Sequence, residues 1–509
     1  MDTATAHRRD GLVAQSDAQQ ANDDGSDVTL VSERRPDGTP QPPVSSSVVP
    51  APALLPSARF SVPGWWRDAV GVATWASMLV VVALWISGGG VGDLGGWADG
   101  VTSVGRLTGL VSADLLLIQV LLMARVPAVE KVYGQDELAR RHRLAGFWSF
   151  WLMIAHLVTI GVGYALAANV NVFVQFWLLV VDYPGMLLAV AGSLLLVMVV
   201  LTSIRNARRR LRYESWHLLH LYAYLGVGLA IPHMLWTGQE FVDNPVATLY
   251  WWTLWAAGAT AIVVWRIAQP LYRSLRHDLR VAEVVRESPD VVSVTMTGRI
   301  LDRLPAQGGQ FFNWRFRSGL GWTRSHPYSL SAAPDGRTLR ITVKQLGDGS
   351  AGVACLQPGT RVIIEGPYGR LHPGVRTQAK VTLLASGIGI TPLRALLEDL
   401  PQRPADVTVI YRARTAADLV LRTELERLGQ QRGARIIYVL GRRIPGRDSW
   451  LPESAAPLSD AEALRQLVPD IADNDVYLCG ATEWMDAAAR AAQECGVPAC
   501  RIHSERFSW

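Results

Sequence analysis

Residues 142–156 read HRLAGFWSFWLMIAH and residues 220–233 read HLYAYLGVGLAIPH. Each is an apolar run closed at both ends by histidine, with His142 and His156 fourteen positions apart and His220 and His233 thirteen. On a helix rising about 1.5 Å per residue, fourteen residues span roughly 21 Å, which places one histidine towards each face of a hydrocarbon core about 30 Å thick. Neutral imidazole is a good iron ligand, and ionisable side chains inside a membrane are costly enough to mark function. Two such helices supply the ligands for two stacked haems. The competing reading, a histidine hydrogen-bonded between helices, suits a lone residue better than four at matched spacing. At about 100° per residue, the fourteen-residue step returns within about 40° of the same face, whereas the thirteen-residue step lands about 140° away. Pro232 removes a backbone donor next to His233 and can re-aim it by kinking the helix. His217 is the rival of His220, but its sixteen-residue separation from His233 matches the partner helix less well.

Outward from these runs, residues 64–269 of the 509 carry most of the apolar character. Six stretches approach the length of about 20 residues that spans a bilayer: 68–88, 107–124, 144–166, 184–203, 215–236 and 247–268. Arg125, Lys131, Arg140, Arg141 and Arg143 lie between the second and third, and Arg205, Arg208, Arg209, Arg210 and Arg212 between the fourth and fifth. The positive-inside rule puts both groups in the cytoplasm, and both termini with them, in a multi-pass protein of the cytoplasmic membrane. Asp114 and Gln119 on the second span read as a helix–helix hydrogen bond, with a proton path or a water-mediated haem propionate contact as the alternative. Residues 1–60, rich in Ser, Pro, Asp and Gln, read as a disordered cytoplasmic tail rather than a cleaved signal. The net charge of +5 is largely explained by the inner loops and the membrane-proximal arginines, and no nucleic-acid reader is visible. The four cysteines lack metal-ligand spacing, and free thiols suit a reducing compartment.

The C-terminal half changes pattern twice. Short alternating runs punctuated by Gly and Pro over 276–374 predict a small antiparallel β-barrel. Inside it, His326-Pro327-Tyr328-Ser329 offers an aromatic face and a hydroxyl for a flavin ring, and Gly347-Asp-Gly349-Ser350 opens a helical stretch whose backbone donors suit a pyrophosphate. From 378 onward, apolar strands alternate with helical segments, which predicts a parallel sheet. Gly387-Ile-Gly389-Ile-Thr391-Pro392 follows the first strand and opens a helix, although its G-x-G-x-x-P spacing departs from G-x-G-x-x-G. Arg412 and Arg414 end the second strand, where guanidinium groups favour a 2′-phosphate and hence NADPH over NADH; solvated surface arginines are the alternative. Cys479 and Gly480 end a later strand at the same edge, where a small buried thiol is the plain reading.

Together these residues resemble the ferric reductase and NADPH oxidase superfamily over residues 64–509, through the paired histidines, HPYSLS, GIGITP, YLCG and the terminal HSERFSW. The resemblance implies a multidomain protein: a disordered tail (1–60), an all-α six-helix transmembrane haem domain (64–270), an antiparallel β-barrel FAD domain (276–374) and an α/β parallel-sheet NAD(P)H-binding domain (376–509). It implies that His142 and His220 ligate an inner haem b and His156 and His233 an outer one. His326, Pro327, Tyr328 and Ser329 would hold FAD, with Gly347 and Ser350 near its phosphates. Gly387, Gly389, Thr391 and Pro392 would hold the pyridine nucleotide, and Cys479 would sit near the nicotinamide. Trp509 or Phe507 would cover the flavin. Ala481 stands where many relatives have proline.

The implied activity is electron transfer from cytoplasmic NAD(P)H through FAD and two haems to a small external acceptor, dioxygen or a ferric chelate. A hydride delivers two electrons and a haem iron accepts one, so a flavin must stand between them. The first alternative is an electron-supply subunit for a periplasmic or membrane redox partner. The second is a transporter or structural membrane protein with a regulatory flavodomain, which leaves the four histidines unexplained.

Overall fold

The computed structural model describes residues 65–506 except 209, 212, 239, 240, 242, 243, 320, 321, 402, 404 and 405. The tail 1–60, Arg209, Arg212, Phe507 and Trp509 lie outside the described residues.

The N-terminal half is helical: α1 (Trp65–Ser87), α2 (Trp97–Met123), α3 (Pro127–Tyr133), α4 (Gln135–Ala168), α5 (Val172–Asp182), α6 (Met186–Ser203), α7 (Arg205–Arg208) and α8 (Tyr213–Thr237). A last helix, Pro245–Ala261, continues through a π-helical stretch, Ile262–Ala268, into Gln269–His277. Among the described residues six helices are long and apolar enough to cross a membrane. Their outward leucines and tryptophans are exposed, as a lipid-facing surface requires. α2 packs along α4, and α6 along α8. Small residues permit both contacts. A Cβ at Gly109 would meet the His156 ring at 2.5 Å, and one at Gly192 would meet the Gly226 carbonyl at 2.6 Å.

Six strands follow: β1 (Arg280–Ser288), β2 (Val291–Thr297), β3 (Phe311–Phe316), β4 (His326–Ser329), β5 (Thr338–Lys344) and β6 (Val362–Tyr368). They form two antiparallel three-stranded sheets, β1-β2-β5 and β4-β3-β6. Single bridges, Arg280 to Arg361 and Leu330 to Ile341, join the sheets at both edges. The expected barrel is thus built as two sheets touching edge to edge, around a core that includes Met296, Phe312, Trp314, Leu330 and Ile341.

The last five strands, β7 (Lys380–Ser386), β8 (Val407–Ala413), β9 (Arg435–Leu440), β10 (Asn474–Cys479) and β11 (Ile502–Ser504), form a parallel sheet of order β11-β10-β7-β8-β9. The chain moves outward from β7 to β9, then returns to the other side of β7. Strand order therefore reverses between β7 and β10, and the crevice beyond their carboxyl ends is where such sheets bind ligands.

Candidate functional site

All four histidines of the opening runs lie on the expected pair of helices, α4 and α8. The His142 and His220 ring centroids stand 6.0 Å apart. Two imidazole nitrogens bonded to one metal at about 2 Å each place their ring centroids roughly that far apart. His156 and His233 are electrostatic neighbours on the same two helices. Each ring has its Nδ1 engaged: His142 on the Gln119 carbonyl at 3.1 Å, His156 on the Gly105 carbonyl at 2.8 Å, His233 on the Ala230 carbonyl at 2.6 Å and His220 with Ser203 Oγ at 3.3 Å. A carbonyl only accepts, so Nδ1 carries the proton in the first three and Nε2 keeps its lone pair for a metal. The spacing and free Nε2 positions of the inner pair fit a bis-imidazole haem.

Pro232 does not interrupt α8, which runs through it. His217 has Arg266, Arg315 and Arg125 among its charged neighbours and is itself a neighbour of His220, against which Trp216 packs with ring centroids 5.1 Å apart. Asp114 is fully buried and accepts a 2.6 Å hydrogen bond from Ser77, whose hydroxyl lies 2.7 Å from that of Tyr250. The aspartate thereby ties α2 to α1 and to the helix Pro245–Ala261, matching the helix–helix reading. Gln119 packs against α4, where a Cβ at Gly146 would meet its oxygen at 2.6 Å.

In the flavin half, His326, Pro327, Tyr328 and Ser329 make up β4. Tyr328 and His326 stack with centroids 6.0 Å apart, and Trp314 donates to the Tyr328 carbonyl at 2.8 Å, fixing the strand that carries both rings. Burial pushes the Tyr328 phenol up to about 12, so it stays neutral. Ser329 Oγ is buried and finds no partner among the described residues. An orphaned buried hydroxyl costs free energy unless a ligand satisfies it, which fits a flavin edge. Ser350 Oγ accepts from the Leu346 and Gly347 amides at 2.8 and 3.0 Å, organising the turn before the helix Asp348–Ala351.

At the parallel sheet, Gly387 adopts φ +56 and a Cβ there would meet nothing within 4 Å. The turn Gly387–Gly389 therefore opens onto free space at the start of the helix Ile390–Asp399. Thr391 and Pro392 are buried in its first turn, with Thr391 Oγ1 donating to the Ile388 carbonyl at 3.0 Å. A Cβ at Gly389 would lie 2.2 Å from the Cys479 carbonyl, and one at Gly480 2.8 Å from Ser386. Both glycines exist so that β7 and β10 close on each other. Cys479 is buried, and burial together with the nearby Glu505 pushes its thiol well above the usual range.

The two arginines separate. Arg412 is buried and turned back into the sheet: its guanidinium donates to the carbonyls of Ala413, of Val439 at 3.3 Å and of Arg442 at 3.2 Å. Burial and the neighbouring Arg443 lower its pKa to about 10. These three bonds to backbone oxygens set Arg412 apart from Arg414 as a partner for a 2′-phosphate. Arg414, two residues on, is exposed.

Three contributors escaped the sequence reading. Glu505 is buried beside Gly369, where a Cβ would come 2.4 Å from its carboxylate, and beside Cys479. Arg125 and Glu365 meet at 3.2 Å between the helical half and the first sheets. A lone acid near a chain end, or an arginine in a basic loop, carries no periodicity that would set it apart from solvated charge.

Comparisons with known proteins agree with this layout. Residues 108–231 match the family described as ferric reductase like transmembrane component, and residues 383–490 match the oxidoreductase NAD-binding domain. The chain is 32% identical over 241 residues to the ferredoxin reductase component of 3-ketosteroid-9-alpha-monooxygenase from Mycolicibacterium smegmatis, covering 45% of this chain and 65% of that protein. It is 30% identical over 244 residues to a flavohemoprotein of Vibrio cholerae, covering 44% and 58%. The chain thus spans less than two thirds of the length of these relatives. Among solved structures, the FAD/NAD-binding domain of nitric oxide dioxygenase from Vibrio cholerae aligns at 26% identity over 46% of this chain and 99% of that one, with a TM-score of 0.36.

The chain thus carries, among the described residues, six helices long and apolar enough to cross a membrane, a stretch similar to a ferric reductase like transmembrane component and a stretch similar to an oxidoreductase NAD-binding domain. It joins a ferric reductase-like transmembrane component to an NAD-binding reductase module in one chain, the pairing of parts expected from the sequence.

Proposed function

We propose that the protein carries electrons from cytoplasmic NAD(P)H, through FAD and two b-type haems, to an acceptor on the far side of the plasma membrane, dioxygen or a ferric chelate. The observation that carries this reading is the His142–His220 pair at 6.0 Å with Nδ1 of all four histidines engaged. When bound, a flavin divides the electron pair of a hydride and haem irons pass single electrons through the apolar layer.

The chain's own residues select and orient. His142 and His220 would hold the inner haem, His156 and His233 the outer. Ser329 offers its unpartnered hydroxyl to the flavin edge and Tyr328 its ring, while the turn at Gly347 and Ser350 lies towards the FAD phosphates. Gly387, Gly389, Thr391 and Pro392 cradle the dinucleotide at a helix N-terminus, and the protonated thiol of Cys479 lines the nicotinamide pocket without acting as a nucleophile. A cover for the flavin by Trp509 belongs to the same reading and falls outside the described residues. Arg414 is the arginine left to meet a 2′-phosphate, giving NADPH the preference. Both termini face the cytoplasm, as do the basic loops.

The relatives named as ferredoxin reductase components favour one second reading, an electron-supply subunit whose partner does the chemistry. The transporter reading is not favoured, because residues 108–231 match a ferric reductase-like component. A reduced-minus-oxidised spectrum with haem quantitation tests the proposal: two b-type haems per chain are expected, and a haem-free protein would overturn it.

A further inference from the structure

Helix α2 works as a ruler for the redox groups. Its Gly105 and Gln119 carbonyls accept from His156 and His142, and the two carbonyls are fourteen positions apart, like the two histidines on the antiparallel α4. Six residues past Gln119, immediately after the helix cap at Ala124, stands Arg125 with φ 62, a left-handed conformation that L residues seldom adopt without a compensating contact.

That backbone turn delivers the guanidinium into the first β-sheets. Its Nε lies 3.2 Å from Glu365 and its carbon 4.3 Å from the centre of the Tyr368 ring. With the Asn313 amide oriented to satisfy it, the amide oxygen accepts from both terminal nitrogens at 3.0 and 3.1 Å. Asn313 faces Glu365 across β3 and β6, and faces Pro327 of the HPYS strand across β3 and β4. The arginine therefore grips the cross-strand pair adjoining the flavin strand. Arg266 donates to the Met123 carbonyl at 3.2 Å, holding the end of α2 from the last helix, and Arg315 adds a second cation 3.6 Å from Glu365.

We propose that Arg125 is a positioning residue for electron passage from the flavin strand to the inner histidine pair, fastening the β4-β3-β6 sheet to the same helix that orients His142 and His156. The proposal rests on the haem and flavin reading above. A buried ion pair contributes little net stability compared with apolar packing of the same volume, because desolvation offsets the attraction; what such a pair does supply is a single geometry. Arg125 and Glu365 are both largely buried, at 12% and 7% side-chain exposure. Burial alone would push the Glu365 carboxyl up, but Arg125, Arg266 and Arg315 outweigh it and hold it below the usual range, so the pair stays ionised. With three partners on one sheet, Arg125 fixes rotation as well as distance.

The test compares Arg125→Ala, Glu365→Gln and the exchanged pair Arg125→Glu/Glu365→Arg with wild type, as full-length protein. Anaerobic mixing with NADPH follows flavin bleaching and haem reduction separately, and amide exchange across β6 is measured in the oxidised protein. The single variants should bleach the flavin at the wild-type rate, reduce haem about tenfold more slowly or worse, and exchange β6 amides faster; the exchanged pair should recover part of the haem rate. Haem reduction at the wild-type rate in both single variants would overturn the proposal, as would a parallel fall in flavin bleaching. A wild type whose dithionite spectrum shows no haem would instead overturn the parent reading, and this is seen before any variant is compared.

Discussion

The imidazole rings of His142 and His220 face each other across α4 and α8 with centroids 6.0 Å apart and planes at 64°. His217, one turn earlier on α8, has Arg266, Arg315 and Arg125 as its charged neighbours. His220→Leu should therefore cost one haem per chain, whereas His217→Leu should keep both. His156→Leu should remove the outer haem and leave flavin reduction by NAD(P)H intact. Pyridine haemochrome quantitation decides, and loss of a haem in His217→Leu would move the ligand to that residue.

Ser329→Ala should weaken FAD binding. The orphaned hydroxyl makes one hydrogen bond to a ligand, about 0.5–1.5 kcal/mol, or roughly two- to twelvefold in affinity. Flavin fluorescence titration measures it; an unchanged affinity would mean that Ser329 faces away from the flavin.

Arg414→Ala should lower the NADPH preference roughly tenfold or more, the loss of a charge-assisted contact worth about 1.5–3 kcal/mol. Arg412→Leu should instead lower thermal stability, leaving the carbonyls of Ala413, Val439 and Arg442 short of a donor, while the ratio of kcat/KM for the two nucleotides stays put. The reverse pattern would show that Arg412 turns outward when nucleotide binds.

Iodoacetamide on the oxidised protein should label Cys355 and Cys500, which are exposed, and spare Cys479, which burial keeps as a thiol. Rapid labelling of Cys479 in mass spectra would contradict its placement beneath Gly389.

Glu130, buried on α3, has its carboxyl raised from 4.5 to about 7, by burial first and by Glu365, against the opposing pull of Arg125 and Arg266. The folded protein then binds the proton more tightly than the unfolded chain, so stability present below pH 4.5 is lost as pH rises towards about 7. Glu130→Gln should melt at a temperature that falls less over this window than wild type does. Parallel melting curves for the two would show the carboxyl to be solvated.

Much of this architecture was legible because long apolar runs and alternating strands carry strong periodic signals. All six spans overlap the stretches that hydropathy marks, yet α2 starts at Trp97, ten residues before its stretch, and α4 at Gln135, ahead of the apolar run at 144. Its first turns are basic and polar, and a helix held by neighbours needs no apolar face there. The eleven-residue helix α5 lies between the third and fourth spans and is too short to be one itself. The break expected at Pro232 is not taken up, since α8 runs through the proline as one helix and the thirteen-residue step keeps its offset. What stayed hidden are residues whose role is tertiary: Arg125, Glu365 and Glu505 look like any charges until the chain brings them together. Arg412 shows the complementary case, because strand position fixes the residue but not the direction of its side chain.

Vesicles with the NADPH-binding face outward and a membrane-impermeant one-electron oxidant, ferricyanide, trapped inside would test transmembrane transfer itself. Added NADPH should reduce the trapped ferricyanide, and His156→Leu should stop it while flavin reduction continues. Reduction confined to ferricyanide added on the NADPH side, with the trapped pool untouched in wild type, would contradict the account.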